Sequence, residues 1–295
     1  MTAPLPPTVT FVFVHGLAGT SFVWAPLTRE LALRGYRSLA LDLPGHGLDA
    51  DLPLSYQAPQ DLAAFITARS HLADVTLQDY VEHVVAAVRQ VSRHGPVILV
   101  GQSMGGSIIT GVGNTVPDLV SRLVYITAFC CVTLPSVAAY VQTPQAATSL
   151  LATIPSLGDP ALTGAARSNL RSADPEFLRA FKAALAAECT DAQLRAVLNY
   201  CMQPDESIQA TFGEARVDAT TWGTIPRTYI RATQDRALPL PLQDRMINEA
   251  DTLTPNNTFD VHSIDASHGG ILLRTSEITD ILTGLATPQR LPRPR

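Results

Sequence analysis

The chain has 295 residues, of which 46% are hydrophobic and 16% charged, and a formal net charge of −5. This composition suits one large globular domain, or one domain carrying an insertion, and excludes a disordered or fibrous chain. The mildly acidic balance gives no support to a nucleic-acid or anionic-membrane partner. No apolar run reaches the length of a membrane span, and the first residues carry neither a basic start nor an apolar signal core, so a cytoplasmic location is expected. Cys130, Cys131, Cys189 and Cys201 match no metal framework. They are expected to be reduced, buried thiols, with a Cys189–Cys201 pair only if the protein is exported. Lys182 is the only lysine.

Short β-type runs at residues 9–14, 36–41, 97–100, 119–128, 227–232 and 258–264 alternate with helical stretches at 24–34, 76–93, 104–116, 241–250 and 268–285. Several runs are continuously apolar, as strands buried on both faces of a parallel sheet should be. Within 76–93, Tyr80, Val84, Ala87, Val88 and Val91 recur at three- and four-residue spacing, and Thr76 with Asp79 fits a helix start. Two regions break the rhythm. Residues 48–75 form a long excursion with one short helix at 59–68. Residues 135–223 read as three or four helices, at 136–151, 164–171, 175–187 and 191–200. This second block is expected to sit as a cap over one sheet edge, on a core made of residues 1–134 and 224–287. The tail 288–295 reads as disordered.

Gly101-Gln102-Ser103-Met104-Gly105 has the form Gly-x-Ser-x-Gly and lies between an apolar run and a small-residue helix. Strand, tight turn and helix make this pattern a nucleophile elbow, with Ser103 exposed above the sheet edge at a helix N-terminus. A serine nucleophile needs a base, an acid to orient it and donors for the oxyanion. His268 follows the last strand run and is the candidate base. Asp235, just beyond the run 227–232, is the candidate acid; Asp265 is the weaker alternative. His15 and His46 flank strand ends, where structural hydrogen bonding is expected. The oxyanion donors are the backbone amides of Met104 and of Leu17, in the loop His15-Gly16-Leu17-Ala18-Gly19. Gly16, Ala18, Phe22, Trp24 and Phe129 are the residues expected to meet the substrate. No phosphate loop or metal cluster is visible, so no cofactor and no metal is expected.

Together, His15-Gly16, Asp42-Leu43-Pro44-Gly45-His46-Gly47, the Ser103 elbow, Asp235 and His268 resemble the α/β-hydrolase superfamily in kind and in chain order. The resemblance implies an α/β-hydrolase fold: a six-stranded, mainly parallel sheet with helices on both faces and a helical cap. Within the superfamily, His15-Gly16-x7-Trp24 and Thr233-Gln234-Asp235-Arg236-Ala237-Leu238-Pro239, followed by Gln243 and Met246-Ile247, resemble the methylesterase and hydroxynitrile-lyase branch. The lyases place a lysine after the base histidine and a hydroxylated residue after the first-loop histidine. Here Gly269 and Gly16 stand at those positions, so the resemblance is esterase-like. It implies a serine esterase acting on a small to medium, largely apolar carboxylic ester, a methyl ester or a lactone first. A thioesterase, an acyltransferase or a C–C-cleaving hydrolase would use the same triad. A non-catalytic receptor is the reading from a different class, since fold does not fix function. The oligomeric state is not legible.

Overall fold

The computed structural model describes residues 9–286; the tail 288–295 lies outside them. Strands β1 (Thr10–Val14), β2 (Arg37–Leu41), β3 (Val97–Ser103) and β4 (Arg122–Ala128) precede the cap. A short pair, β5 (Ala165–Arg167) and β6 (Asp205–Ser207), lies within it, and β7 (Arg227–Ala232) and β8 (Asp260–Ile264) follow. Six of these form one sheet in the order β2-β1-β3-β4-β7-β8, every neighbour parallel. The four inner strands β1, β3, β4 and β7 are buried almost throughout, whereas the edge strands β2 and β8 are largely open on one side.

Period-two alternation sorts the inner strands between two cores. Val12, Val14, Leu99, Leu123 and Tyr125 face one side, against Tyr80, Val84 and Val88 of α3 (Leu77–Val91), Ile109 and Val112 of α4 (Gly105–Thr115), and Leu242 and Met246 of α10 (Leu240–Leu253). Phe11, Phe13, Ile98, Val100, Val124 and Ile126 face the other, against Leu27 and Leu31 of α1 (Ala25–Leu33) and Ile278 and Leu282 of α11 (Thr275–Ala286). The start of α3 is a capping box: the Thr76 hydroxyl accepts from the Asp79 amide, and the Asp79 carboxylate accepts from the Thr76 amide. The excursion 48–75 holds one short helix, α2 (Leu62–Thr67), capped by Asp61.

The cap departs from its expected helices. The stretch 136–151 forms only α5 (Val137–Val141) before Pro144, which has no N–H to continue a helix, starts a separate turn. After the four-residue α6 (Pro160–Thr163), the expected helix at 164–171 is replaced by the short strand β5 and a turn. Gly164 takes a left-handed φ of 75°, which ends α6 and turns the chain into an antiparallel pair with β6. Long-range pairing overrides the helix preference of Ala165-Ala166-Arg167. Helices α7 (Pro175–Leu185), α8 (Asp191–Ala196) and α9 (Ile208–Phe212) complete the cap. Phe177 and Phe181 form a small core of their own with Leu170, Leu194 and Leu198. At the other end of the chain, the expected helix from residue 268 starts only at Thr275. Gly269 and Gly270 favour a loop, and a 3-10 turn at Gly270–Leu273 intervenes.

A buried ion pair ties the cap to the excursion. Arg167 donates from Nε and Nη2 to the two Asp205 oxygens, each at 2.7 Å, and from Nη1 to the Phe65 and Ala68 carbonyls. Its guanidinium lies 4.4 Å from the centre of the Phe65 ring. Removing one partner of such a pair strands the other charge in the interior, at a cost of about 3–5 kcal/mol. Arg167→Met is therefore expected to lower unfolding free energy by about that amount, read from urea-induced unfolding; a loss within about 0.5 kcal/mol, the range of an ordinary surface substitution, contradicts this.

Candidate active site

Because every strand of the main sheet runs the same way, the loops after β1, β3, β7 and β8 emerge at one edge, and each carries a candidate residue. Ser103 ends β3 and Met104 caps α4, so the serine sits on the turn between them, half-buried and with a left-handed φ of 56°. That strained backbone survives because its surroundings hold it. A Cβ at Gly101 would lie 2.6 Å from the Gly105 carbonyl oxygen, one at Gly105 2.7 Å from the Val14 and His15 carbonyl oxygens, and one at Gly106 2.2 Å from that of Phe129. Only glycine permits these approaches.

The structure brings His268 and Asp235 together. His268 Nδ1 lies 2.6 Å from Asp235 Oδ2, and both side chains are buried. The other Asp235 oxygen accepts from the amides of Ala237 and Leu238, at 2.6 and 2.7 Å, and the Thr127 hydroxyl donates to Oδ2. The carboxylate is thus surrounded by donors, and His268 carries its proton on Nδ1 and leaves Nε2 free to accept. In this arrangement Nε2 faces the Gln102 side-chain nitrogen at 3.2 Å. No hydrogen bond within 3.5 Å joins it to Ser103 among the described residues, a separation common in sites without substrate. Asp265 is exposed and accepts from Thr233 and Gln234 at 3.0 and 2.9 Å, so it is committed elsewhere.

The loop after β1 packs directly on the elbow: a Cβ at Gly16 would lie 2.7 Å from Ser103 Cβ. The Gly19 amide donates to the Gly16 carbonyl at 3.1 Å, closing a turn in which Ala18 takes a left-handed φ of 54°. The Ala18 amide donates to Glu206 at 2.8 Å. The Leu17 amide is hydrogen-bonded to no described residue. The Met104 amide stands at the start of α4, where helix geometry supplies no partner.

Two histidines brace this loop. His15 Nε2 accepts from the Leu43 amide at 3.2 Å, so its Nδ1 carries the proton and donates to the Gly16 carbonyl at 2.9 Å. Burial and the neighbouring charge of His46 lower the His15 pKa to about 4, which keeps that tautomer neutral. Both ring nitrogens of His46 face acceptors, the Pro44 carbonyl at 3.2 Å and Glu206 at 3.3 Å. Burial pulls the His46 pKa down, but the Glu206 carboxylate more than offsets it and leaves it raised. Burial pushes Glu206 up, and His46, the Ala18 amide and the Tyr80 hydroxyl outweigh that and hold it below its usual range.

Of the residues expected to meet substrate, Gly16 and Ala18 lie at the elbow and Phe22 is exposed on the same loop. Phe129 is buried, with its amide donating to the Ser103 carbonyl at 2.9 Å. Trp24 is a correction. It is fully buried on Phe13, ring centres 4.9 Å apart, in the core beneath α1 and α11, and cannot reach a ligand. Four polar residues went unread: Gln102, Thr127, Glu188 and Glu206. Glu188 accepts from the Ser267 hydroxyl and amide, beside the base histidine, and the Leu185 carbonyl accepts from the Gly269 amide at 2.6 Å. Only Gln102 had a sequence signal, its place inside the Gly-x-Ser-x-Gly motif. All four cysteines are unpaired, no helix among the described residues is long and apolar enough to cross a membrane, and no cluster of potential metal ligands occurs among them.

Residues 11–278 match the model of the alpha/beta hydrolase family. Over 291 residues the chain is 25% identical to the alpha-hydroxynitrile lyase of Arabidopsis thaliana, covering 94% of this chain and 96% of that protein. It is 34% identical over 112 residues to (E)-2-((N-methylformamido)methylene)succinate hydrolase of Acinetobacter baylyi, covering 38% of this chain and 35% of that protein. It is 30% identical over 118 residues to methylesterase 18 of Arabidopsis thaliana, covering 40% of this chain and 38% of that protein. The latter two matches thus span little more than a third of those relatives. The fold is shared with a pyrethroid hydrolase from Sphingobium faniae at a TM-score of 0.71 and 20% identity, covering 96% of this chain and 98% of that one. With the family's pattern running through nearly all of the described sheet and its loops, the chain belongs to the alpha/beta hydrolase family.

Proposed function

We propose that this chain is a serine hydrolase of carboxylic esters, acting on a small to medium, largely apolar substrate, a methyl ester or a lactone first. The observation that carries the reading is the 2.6 Å contact between His268 Nδ1 and Asp235 at the edge where Ser103 stands on its strained turn. Ser103 Oγ attacks the acyl carbon as its proton passes to His268 Nε2, displacing the Gln102 amide from that nitrogen. Asp235 stabilises the imidazolium through Nδ1–H. The tetrahedral oxyanion accepts from the Leu17 and Met104 amides. The intermediate collapses, the alcohol leaves with the proton from His268, and water repeats the sequence on the acyl-enzyme. The similarity to a methylesterase supports this chemistry. The unpaired thiols agree with a cytoplasmic location.

Likeness over nearly its full length to alpha-hydroxynitrile lyase favours one second reading. Against it, the only lysine, Lys182, lies on α7 and is paired with Asp191 at 2.7 Å, so no ammonium is available beside the base to receive a cyanide leaving group. A panel of p-nitrophenyl and methyl esters beside mandelonitrile separates the two. Ester turnover without cyanide release is expected, and cyanide release without ester turnover overturns the proposal.

Ser103→Ala is expected to abolish ester turnover while the melting temperature holds, because a methyl group at a half-exposed turn removes no packing. Activity within tenfold of wild type would sink Ser103 as the nucleophile. Asp235→Asn is the sharper test of the acid. With the amide oxygen held by the Ala237 and Leu238 amides, the new NH₂ group faces His268 Nδ1. The imidazole must then carry its proton on Nε2, the wrong nitrogen to receive one from serine. A loss in kcat of about 10⁴ is expected from such a tautomer change, against Asp265→Asn, which should leave kcat near wild type.

A further inference from the structure

Among the described residues, one fully buried carboxylate serves neither the triad nor the Arg167 pair. Glu206 lies on β6 in the cap, with no exposed surface. Its Oε2 accepts from the Ala18 amide at 2.8 Å and from His46 Nε2 at 3.3 Å; its Oε1 accepts from the Tyr80 hydroxyl at 2.8 Å and from the Ser207 amide at 2.9 Å. Four donors satisfy an ionised carboxylate, and His46, with an acceptor opposite each ring nitrogen, supplies the compensating charge.

What this carboxylate grips is the turn Gly16-Leu17-Ala18-Gly19. The Gly16 carbonyl and the Leu17 N–H belong to one planar peptide, so they point in opposite directions. His15 Nδ1 and the Gly19 amide both donate to that carbonyl, which aims the Leu17 N–H away from them. The third residue of such a turn needs a positive φ and is normally glycine. Here it is Ala18, at 54°. An alanine left to itself avoids that conformation. The cap supplies the restraint: besides the Glu206 bond, the Gln203 amide donates to the Ala18 carbonyl and the Thr20 amide to the Cys201 carbonyl, each at 2.9 Å.

We propose that Glu206 is a positioning residue for the oxyanion hole, its carboxylate holding Ala18 in the left-handed turn that presents the Leu17 amide at the Ser103 elbow. The inference rests on the ester-hydrolase reading above. It makes the cap part of the catalytic machinery through its hold on the backbone of this turn, independent of any contact between cap and substrate. Glu206 touches no reacting atom and acts only through Ala18.

The test uses the full chain, an ester substrate and a trifluoromethyl ketone. Addition of Ser103 Oγ to the ketone carbon gives a hemiketal whose oxyanion occupies the same hole. Loss of a whole oxyanion donor costs about 10²–10³ in kcat. Glu206→Gln keeps the shape but replaces an acceptor by a donor. It is expected to lower kcat about 10-fold or more, leave KM within about threefold, and raise the ketone's Ki by the same factor as kcat falls. Adding Ala18→Gly in the Glu206→Gln background should recover much of both losses, because glycine occupies the left-handed turn unaided. Should Glu206→Gln fail to fold, Tyr80→Phe removes one donor from the carboxylate and keeps the ring. It is then expected to show a smaller fall in kcat matched by the same rise in Ki. An unchanged kcat and Ki in the variant that folds overturns the proposal, as does a loss that Ala18→Gly does not relieve. Wild-type and Ser103→Ala enzymes run alongside separate the two failures: if wild type does not hydrolyse esters, or Ser103→Ala does, the underlying reading has failed instead.

Discussion

The parallel register of six strands is the constraint on which everything else depends. A parallel pair must be joined by a crossover, so each strand end of the main sheet delivers its loop to one edge. Val14, Ser103, Ala232 and Ile264 end four of these strands, and the strand ends and loops there bring the proposed oxyanion turn, nucleophile, acid and base to one edge. Burial of the inner strands on both faces keeps that register from slipping. A shift of one residue would exchange Val12 and Val14 with Phe11 and Phe13 between two differently shaped cores.

A shared edge is not yet a working geometry. The loops are short of internal structure and are fixed from outside. Asp235 is held by two backbone amides and a threonine hydroxyl, the His268 loop by Glu188 and the Leu185 carbonyl, and the turn Gly16–Gly19 by Glu206 and the backbone of residues 201–203. The second and third sets come from the same inserted cap. The cap is therefore bonded both to the turn after β1 and to the loop that carries His268. Arg167 and Asp205, next to Glu206 on the same two strands, anchor it in turn to residues 65–68.

Much of this was legible in the sequence. The inner strands were visible as bounded apolar runs, because burial on both faces demands one, and the edge strands β2 and β8 as shorter mixed runs between helical stretches. Ser103, Asp235 and His268 stood out because each lies at or just beyond a strand end, and the structure places His268 against Asp235. Thr76 and Asp79 announced the start of α3. The cap was not legible in the same way. Ala165-Ala166-Arg167 and Asp205-Glu206-Ser207 have no apolar alternation, and only pairing between segments far apart in the chain makes them strands. Asp205-Glu206 reads as a solvated acidic pair, yet both are buried because their partners, Arg167, His46 and Tyr80, come from distant segments. Trp24 misled for a related reason. Its spacing from His15 places it on the right loop, but the 3-10 turn at Ser21–Trp24 directs the indole into the core beneath α1.

The central claim is the proposal that Ser103 is the nucleophile, activated by His268 and Asp235. Labelling the intact protein with a fluorophosphonate and locating the adduct by peptide mass spectrometry tests it most directly. The geometry predicts rapid, stoichiometric modification of the peptide containing Ser103, abolished when the protein is unfolded beforehand. No label at that peptide, or label on another serine at the same rate, would contradict it.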